Sequence, residues 1–207
     1  MSDGAARHGG TAAALRRLAD SHEAPRFSIA DLIAALDDQG FGLLIFALAL
    51  PNAVPGPFIP GFSLPFAIGI AALGLQLALG LHRPRLPHWA TALSMDAARF
   101  RRVVERIEPW LIRLERWLRP RPSPLTAAIG ERLVGVVLIS LSAVLALPIP
   151  LGNTPMALSI MLIALGLLEG DGLALMLGLP VGLAAALYNG VLVFAGTRLF
   201  EAATHLR

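Results

Sequence analysis

The sequence predicts an all-α integral membrane protein, and three observations lead to this fold class. Of the 207 residues, 56% are hydrophobic and only 15% are charged, whereas soluble domains average about 25% charge. Two stretches, Gln39 to Leu81 and Leu133 to Leu168, carry no charged side chain, and both exceed the roughly 18 residues that indicate a membrane span. Each stretch is broken near its middle by prolines, which interrupt helices. The alternative, a soluble protein with an oversized core, fits this composition poorly.

Composition shifts along the chain predict five segments. They are a flexible cytoplasmic tail (1–26), an amphipathic helix with the first broken-helix repeat (27–82), an arginine-rich amphipathic segment (83–130), the second broken-helix repeat (131–171), and a last span with a short tail (172–207). The first segment is polar and lacks the apolar core of a cleaved signal peptide. Phe27 to Asp38 is expected to form the amphipathic helix, with Ser28 as its cap.

The first repeat is predicted as two helices separated by a proline loop. A short helix over Gly42–Leu50 is expected to stop at Pro51. Its roughly 9 residues extend ~14 Å, about half of a ~30 Å hydrocarbon core. Ser63 then caps a second helix that has Pro65 in its first turn, where proline is tolerated. This second helix continues to about His82.

The second repeat follows the same plan. Leu133–Leu147 forms a helix, the break contains Pro148 and Pro150, and a new helix begins at Asn153 or Thr154, has Pro155 in its first turn, and runs to Leu168. The sequence Pro60-Gly-Phe-Ser-Leu-Pro65 aligns with Pro150-Leu-Gly-Asn-Thr-Pro155. The alignment predicts an internal repeat and leaves open whether the two copies are parallel or inverted.

Arginines at both ends of the first unit favour re-entrant hairpins, with the N- and C-termini cytoplasmic. The last apolar stretch, Leu173 to Phe200, contains Pro180. It is expected to be one kinked, tilted span or a third broken pair. Within it, Tyr188 and Asn189 could line a pathway or form hydrogen bonds between helices.

The segment between the repeats carries most of the 17 cationic residues, all of which are arginine. Apolar and aromatic side chains follow one helical stripe, and arginines occupy the rest. This pattern is typical of a helix that lies in the membrane interface and binds anionic lipid; a cytoplasmic helical hairpin is the alternative. Pro109 is expected to kink or divide the helix. The predicted lipid-headgroup contacts are Arg99, Arg102, Arg106, Arg113 and Arg116.

A helix that starts inside the bilayer aims free N–H groups and its positive dipole end at the membrane interior. Two such starts are predicted, and they could hold a phosphate or carboxylate without a buried charge. The candidate substrate-binding residues are Asn52, Ser63, Asn153 and Thr154. The alternative is that these side chains only cap helices and satisfy the broken backbone.

The remaining chemistry argues against an enzyme. The chain has no cysteine, its histidines show no metal-ligand spacing, and no serine lies in a nucleophile motif. The sequence therefore predicts no catalytic residue, no metal, no cofactor and no nucleic-acid partner. Glu169 and Asp171 are expected to mark a loop. Membrane lipids are the expected partners, and a homo-oligomer is left open.

Several motifs together resemble the ExoD family of bacterial exopolysaccharide-synthesis proteins. They are Ser28-Ile-Ala-Asp-Leu-Ile-Ala-Ala-Leu36, Gly40-Phe-Gly, Ala-Leu-Pro51-Asn52, Gln76-Leu with Leu86-Pro87, Glu131-Arg132, Leu147-Pro148-Ile-Pro150 with Gly152-Asn153, and Leu165-Gly-Leu-Leu-Glu169-Gly-Asp171-Gly. The resemblance, which covers about Phe27 to Phe200, implies an inner-membrane protein of exopolysaccharide production. It makes a polyprenyl-phosphate lipid a natural ligand. The leading hypothesis is binding or translocation of a lipid-linked or anionic substrate at the two breaks; the alternative is a non-transporting scaffold for the polysaccharide machinery.

Overall fold

The computed structural model describes residues 13, 16, 17, 19, 20, 26–28, 39–53, 61–87, 94–118, 121, 123–149 and 151–205. Within them lie six α-helices with defined bounds: α1 (Gly40–Ala53), α2 (Leu64–Ala78), α3 (Ala97–Trp117), α4 (Ala128–Leu145), α5 (Asn153–Glu169) and α6 (Gly172–His205). A 3-10 helix covers Pro124–Thr126, and β1 (Arg26–Ser28) pairs antiparallel with β2 (Ser94–Asp96). The described chain is thus almost wholly helical, as the sequence predicts. Residues 29–38 of the predicted amphipathic helix lie outside the described residues, and Phe27 and Ser28, expected at its start, lie instead in β1, where they pair with Met95 and Ser94.

Helices α1 and α2 form one antiparallel hairpin, and α4 and α5 form another. In the first hairpin, a Cβ placed on Gly69 would lie 2.9 Å from Leu48 Cδ1, so the helices meet a few residues before and after their break. In the second hairpin, Leu141 and Ser159 both lie against Gly182 of α6. The end of α1 therefore lies near the start of α2, and the end of α4 near the start of α5; we call these two ends the hairpin tips.

The two hairpins pack against each other through glycines. A Cβ on Gly42 of α1 would lie 2.6 Å from the backbone nitrogen of Leu168 on α5. Between α2 and α4, a Cβ on Gly135 would lie 2.6 Å from the carbonyl oxygen of Gly74. Both pairs of helices run antiparallel, so both tips lie at the same end of a four-helix bundle. The two hairpins thus point the same way.

The interior of this bundle is apolar and tightly packed. Its fully buried side chains come from all four helices and from α6; the largest are Ile45, Ile70, Leu73, Leu138, Leu145, Met156, Ile160, Ile163, Leu168 and Leu175. Small residues allow the backbones of neighbouring helices to approach closely. This explains glycine at the closest approaches between the hairpins.

Two prolines interrupt less than the sequence analysis predicts. Helix α1 does not stop at Pro51 but continues to Ala53, because a proline in the last turn leaves only one backbone carbonyl without its intrahelical donor. Helix α3 likewise runs through Pro109 without division. Conversely, α2 ends at Ala78, earlier than predicted, because Gly80 has a φ of 80° and terminates the helix in the left-handed region.

Helix α6 is one continuous helix that includes Pro180, so the third broken pair does not form. It packs antiparallel to α5, with Gly166 against Leu175 and Gly178 against Ile163. The Ser159 hydroxyl donates to the Gly178 carbonyl at 3.0 Å. This hydrogen bond lies two residues from Pro180, which has no backbone N–H to donate within the helix. Beyond Asn189 the helix passes the hairpin tips, and its side chains up to Arg198 are mostly exposed.

Residues 172–198 of α6 are long and apolar enough to cross a membrane, with a mean hydropathy of 1.8 over the best window, and no other described helix meets both criteria. Only 22% of that window is buried inside the protein, whereas the core helix of a soluble protein would be mostly buried. Large apolar side chains that face outward on α6 include Leu183, Leu187, Val191 and Phe194.

The predicted tail contacts α3. Its described residues, Ala13, Arg16, Arg17, Ala19 and Asp20, are helical. The Arg101 guanidinium donates to the Ala19 carbonyl at 3.1 Å, and Arg16 forms an ion pair with Glu108. The hydrogen bond and charge of Glu108 raise the pKa of Arg16 above its ordinary value. Ala19 and Val104 are buried, so part of the apolar stripe of α3 is covered by this segment.

Candidate functional site

Polar groups from four helices or their caps lie at the hairpin tips; Gly152 contributes its backbone carbonyl and the other residues their side chains. We call this group the tip cluster: Asn52, Ser63, Gly152, Asn153 and Asn189. Asn153 Nδ2 donates to Ser63 Oγ at 2.6 Å, which joins the first turns of α5 and α2. Asn189 Nδ2 donates to the carbonyl oxygens of Gly152 at 3.1 Å and of Ala185 at 2.9 Å, which ties α6 to the same point. Of the four predicted substrate-binding residues, Ser63 and Asn153 are thus joined at one end of the bundle.

A residue in the left-handed region precedes both second helices. Gly61 has a φ of 81° and Leu151 a φ of 63°, and each lies two residues before the polar residue, Ser63 or Asn153. A left-handed residue costs a leucine roughly 1–2 kcal/mol and costs glycine little. The chain therefore accepts strain at Leu151 to bring Asn153 to the position that matches Ser63.

Ser63 lies at the N-cap of α2, as predicted, but its side chain does not cap the helix. Its φ of −75° and ψ of −20° are helical, whereas a capping residue needs extended backbone to turn its oxygen back to the helix N–H groups. The oxygen of Ser63 accepts from Asn153 instead. Because α5 has Gly152 at its N-cap, neither helix start has its backbone donors satisfied by a capping side chain.

Asn52 lies level with both helix starts. Gly42 contacts Ala164 and Leu168, so ten residues further along α1 the antiparallel register reaches the first turns of α5. The contact of Leu48 with Gly69 puts Asn52 level with the first turn of α2 in the same way.

The side chain of Asn52 is incompletely satisfied in this position. It is 4% exposed, and its Nδ2 donates weakly to the Leu48 carbonyl at 3.5 Å. Its Oδ1 is buried and has no hydrogen-bond partner in the described part of the chain. An unpaired buried polar atom costs about 1–3 kcal/mol and calls for a functional explanation.

Thr154, the fourth predicted residue, lies in the first turn of α5 and is half-buried. Its side chain is not part of the hydrogen bonds that join the tip cluster. Tyr188, beside Asn189, is 43% exposed. The sequence analysis singled out Asn189 for hydrogen bonding between helices but had no signal that linked it to Gly152, because that contact depends on how α6 packs.

Within the two hairpins, charge is confined to the end opposite the tips. No ionisable residue occurs between positions 40 and 81 or between 133 and 168. At the opposite end, the Arg132 guanidinium lies against Gly80. The Asp171 carboxylate is buried and accepts from the Leu173 backbone N–H at 2.8 Å. Asp171 thus holds the start of α6 as well as marking a loop. The tip cluster consists of neutral donors and acceptors and of helix N-termini.

The predicted lipid-headgroup residues lie on α3. Arg102, Arg106 and Arg113 have exposed side chains; the side chains of Arg99 and Arg116 lie outside the described residues. Arg102 also donates to the Ala98 carbonyl of its own helix at 3.4 Å. In the part of the chain that the structure describes, no group of three or more His, Asp or Glu side chains could hold a metal ion.

Comparison with known proteins gives a family. The family model for exopolysaccharide synthesis, ExoD, matches residues 11–191. Protein ExoD of Rhizobium meliloti (strain 1021) is 30% identical over 183 residues, which cover 86% of this chain and 75% of that protein. The uncharacterized protein slr1875 of Synechocystis sp. (strain ATCC 27184 / PCC 6803 / Kazusa) is 33% identical over 150 residues, covering 72% of this chain and 70% of that protein. No solved structure matches.

The match to the family model includes both hairpins, α3 and most of α6, and agrees with the motifs that resemble the family. Together with the exposed apolar surface of α6, it indicates a location in the membrane. The chain belongs to the ExoD family, and this membership assigns it to exopolysaccharide synthesis.

Proposed function

We propose that this protein binds a lipid-linked or anionic substrate at the tip cluster and carries it across the bacterial inner membrane. The observation that carries the proposal is the Asn153–Ser63 hydrogen bond. It holds two helix N-termini together at the level of Asn52, whose amide oxygen is buried and unpartnered. The proposed role is non-catalytic, because the tip cluster contains amides and a hydroxyl but no nucleophile–base pair.

Helix N-termini give this site its preference for negative charge. Each start has backbone N–H groups without an intrahelical acceptor and the positive end of a helix dipole. Pro65 and Pro155 each remove one such donor, which leaves Phe66 on α2 and Asn153 and Thr154 on α5 with N–H groups that a ligand can use. Such starts bind phosphate and carboxylate groups without a basic side chain.

The dimensions of α6 support tips that lie inside the membrane. The span from Gly172 to Arg198 has 27 residues, so it extends about 40 Å and must tilt to fit a ~30 Å hydrocarbon core. Asn189, level with the tips, lies about 26 Å along this helix from Gly172. The hairpins are then re-entrant, with their charged ends at one surface and their polar tips within the bilayer.

Arginine marks the cytoplasmic side in this arrangement. Arg121 and Arg132 lie at the charged end of the bundle, and α3 adds Arg102, Arg106 and Arg113, which we assign to anionic lipid headgroups. We infer from this that the N-terminus and the bundle's charged end face the cytoplasm. Because α6 crosses the membrane once in this arrangement, the C-terminus lies on the opposite side, unlike the cytoplasmic C-terminus expected from the sequence. The polar tips then open toward the opposite leaflet.

The test is translocation of a fluorescent polyprenyl phosphate in vesicles that contain the purified protein. We expect transfer between leaflets, and at least tenfold slower transfer after Asn153→Leu, because that variant removes the bond to Ser63 and the amide at the start of α5. Ser140→Ala is the matched control, since Ser140 is exposed and bonds only to its own helix at Val136. Vesicles in which wild type gives no transfer above protein-free vesicles would contradict carriage and leave a non-transporting scaffold.

A further inference from the structure

The unpaired oxygen of Asn52 restricts which anion fits the tip cluster. Asn52 Oδ1 can only accept a hydrogen bond. A carboxylate, a phosphodiester or a doubly ionised phosphate carries only acceptor oxygens, and would place an oxygen against Oδ1 with no proton between them. The N–H groups of Phe66, Asn153 and Thr154, at the helix starts level with Asn52, favour an anion all the same. The site therefore fits a ligand group that carries negative charge and also donates a hydrogen bond.

We propose, building on the substrate site inferred above, that the tip cluster recognises a phosphate monoester in its singly protonated form. The P–OH group donates to Asn52 Oδ1. The charged oxygens accept from the N–H groups at the starts of α2 and α5. The apolar surface around the tips, which includes Leu147, Leu151 and Phe62 at 48%, 79% and 44% exposure, suits a hydrocarbon chain on the ester oxygen.

Protonation of the ligand then controls binding, because the protein offers nothing at the site that titrates. The sequence has no Asp, Glu, His, Lys or Arg between positions 40 and 81 or between 133 and 168, which covers both hairpins from α1 through α5 up to Leu168. On α6, Tyr188 is the one titratable residue between Leu173 and Thr197. A phosphate monoester loses its second proton with a pKa of about 6, whereas a phosphodiester keeps one negative charge and no P–OH at higher pH.

The experiment compares two ligands, one of which carries a methyl group in place of that proton. Binding of farnesyl phosphate and of farnesyl methyl phosphate to the detergent-purified full chain is measured at about pH 5.5 and pH 8, with protein-free micelles subtracted. We expect farnesyl phosphate to bind at least tenfold more tightly at the lower pH, since its singly protonated fraction falls from about three quarters to about one hundredth. We expect the methyl diester to bind weakly and within twofold at both values, and it reports any titration of the protein itself.

Asn52→Leu provides the second arm. This variant keeps the size of the side chain and removes the acceptor, so farnesyl phosphate should bind like the diester at both pH values. Ser159→Ala is the matched control because it removes another buried polar group whose hydrogen bond, to Gly178, lies away from the tips; it should behave like wild type. The comparison of the two ligands on wild type decides the matter even where Asn52→Leu fails to fold.

The outcomes separate this inference from the proposed function. Equal binding of monoester and diester, or tighter monoester binding at the higher pH, would overturn recognition of the singly protonated form and leave an anion site in place. Binding of neither ligand at either pH would overturn the anion site itself, and this inference with it. A monoester preference that survives in Asn52→Leu would move the acceptor to another residue and contradict the assignment.

Discussion

Gly152 shows how the absence of one side chain permits the contact between α5 and α6. A Cβ at this position would lie 1.8 Å from Asn189 Oδ1. With hydrogen there instead, the Asn189 amide reaches the Gly152 carbonyl and bonds to it. The φ of Gly152 is −79°, which any residue can adopt, so the requirement for glycine here comes from the close approach and not from the backbone conformation.

Substitution of this glycine should therefore destabilise the protein through Asn189. For Gly152→Ala we expect a loss of about 1–3 kcal/mol, the usual cost of forcing an extra methyl group into a packed site, measured as a lower midpoint of thermal unfolding in detergent. Gly190→Ala is the control, because nothing lies within 4 Å of its added Cβ and alanine favours a helix by about 0.5–1 kcal/mol. Equal midpoints for the two variants would mean that the Asn189 contact does not hold α6 in place.

At the level of helices, the seams between the hairpins depend on glycine, whereas the seam within the first hairpin does not. Gly42 faces backbone atoms of α5, and Gly135 faces backbone atoms of α2. Gly69, within the first hairpin, faces the end of the Leu48 side chain. Backbone cannot move without shifting a whole helix, whereas the end of a leucine side chain can change rotamer.

This difference predicts unequal costs for the same substitution. Gly42→Ala should destabilise by about 1–3 kcal/mol because α1 and α5 must separate, while Gly69→Ala should cost clearly less because Leu48 can move. The midpoint of thermal unfolding in a fixed detergent measures both. A larger loss for Gly69→Ala would show that the contact within the first hairpin, and not the contact between α1 and α5, limits stability.

Local sequence signals predict the helix starts but not the way the helices pack. The starts of α2 and α5 are predicted correctly because a polar residue followed two positions later by proline is a signal within a few residues. Pro51 is misjudged because its effect depends on being in a last turn. The shared direction of the hairpins and the partner of Asn189 depend on glycines far apart in the chain, so the sequence alone left them undecided. The unpaired oxygen of Asn52 becomes visible only when its surroundings are known.

Taken as a whole, the molecule has a charged end, a polar but uncharged end at the hairpin tips, and one helix that extends past the tips. Arg132 and Asp171 lie at the first end, the tip cluster lies at the second, and the exposed part of α6 follows Asn189. A transporter site near the middle of the bilayer, where helices break, has the same arrangement. The re-entrant geometry that we propose predicts a definite depth in the bilayer for each of these three parts of the molecule.

Depth can be measured directly, because the chain has no cysteine of its own. Spin labels on Ile129→Cys, Leu151→Cys and Thr197→Cys report the charged end, a tip and the far end of α6; all three residues are exposed. We expect the ratio of oxygen to nickel-complex accessibility to be highest for the label at position 151, since oxygen concentrates in the bilayer interior and the nickel complex in water. A ratio at position 151 no higher than at the other two positions would place the tips in water and contradict re-entrance.

The shared direction of the two hairpins has a consequence for how such a bundle can be assembled. A rotation about the bundle axis exchanges the hairpins, and neither has to be turned upside down. Two copies of one hairpin on separate chains would take the same orientation under the positive-inside rule. They could therefore build the same four helices as a symmetric dimer. In this chain, by contrast, the two hairpins carry different residues at matching positions, with Gly61 and Ser63 in the first and Leu151 and Asn153 in the second. The two halves of a single-chain bundle can therefore differ, whereas those of a dimer of identical hairpins cannot.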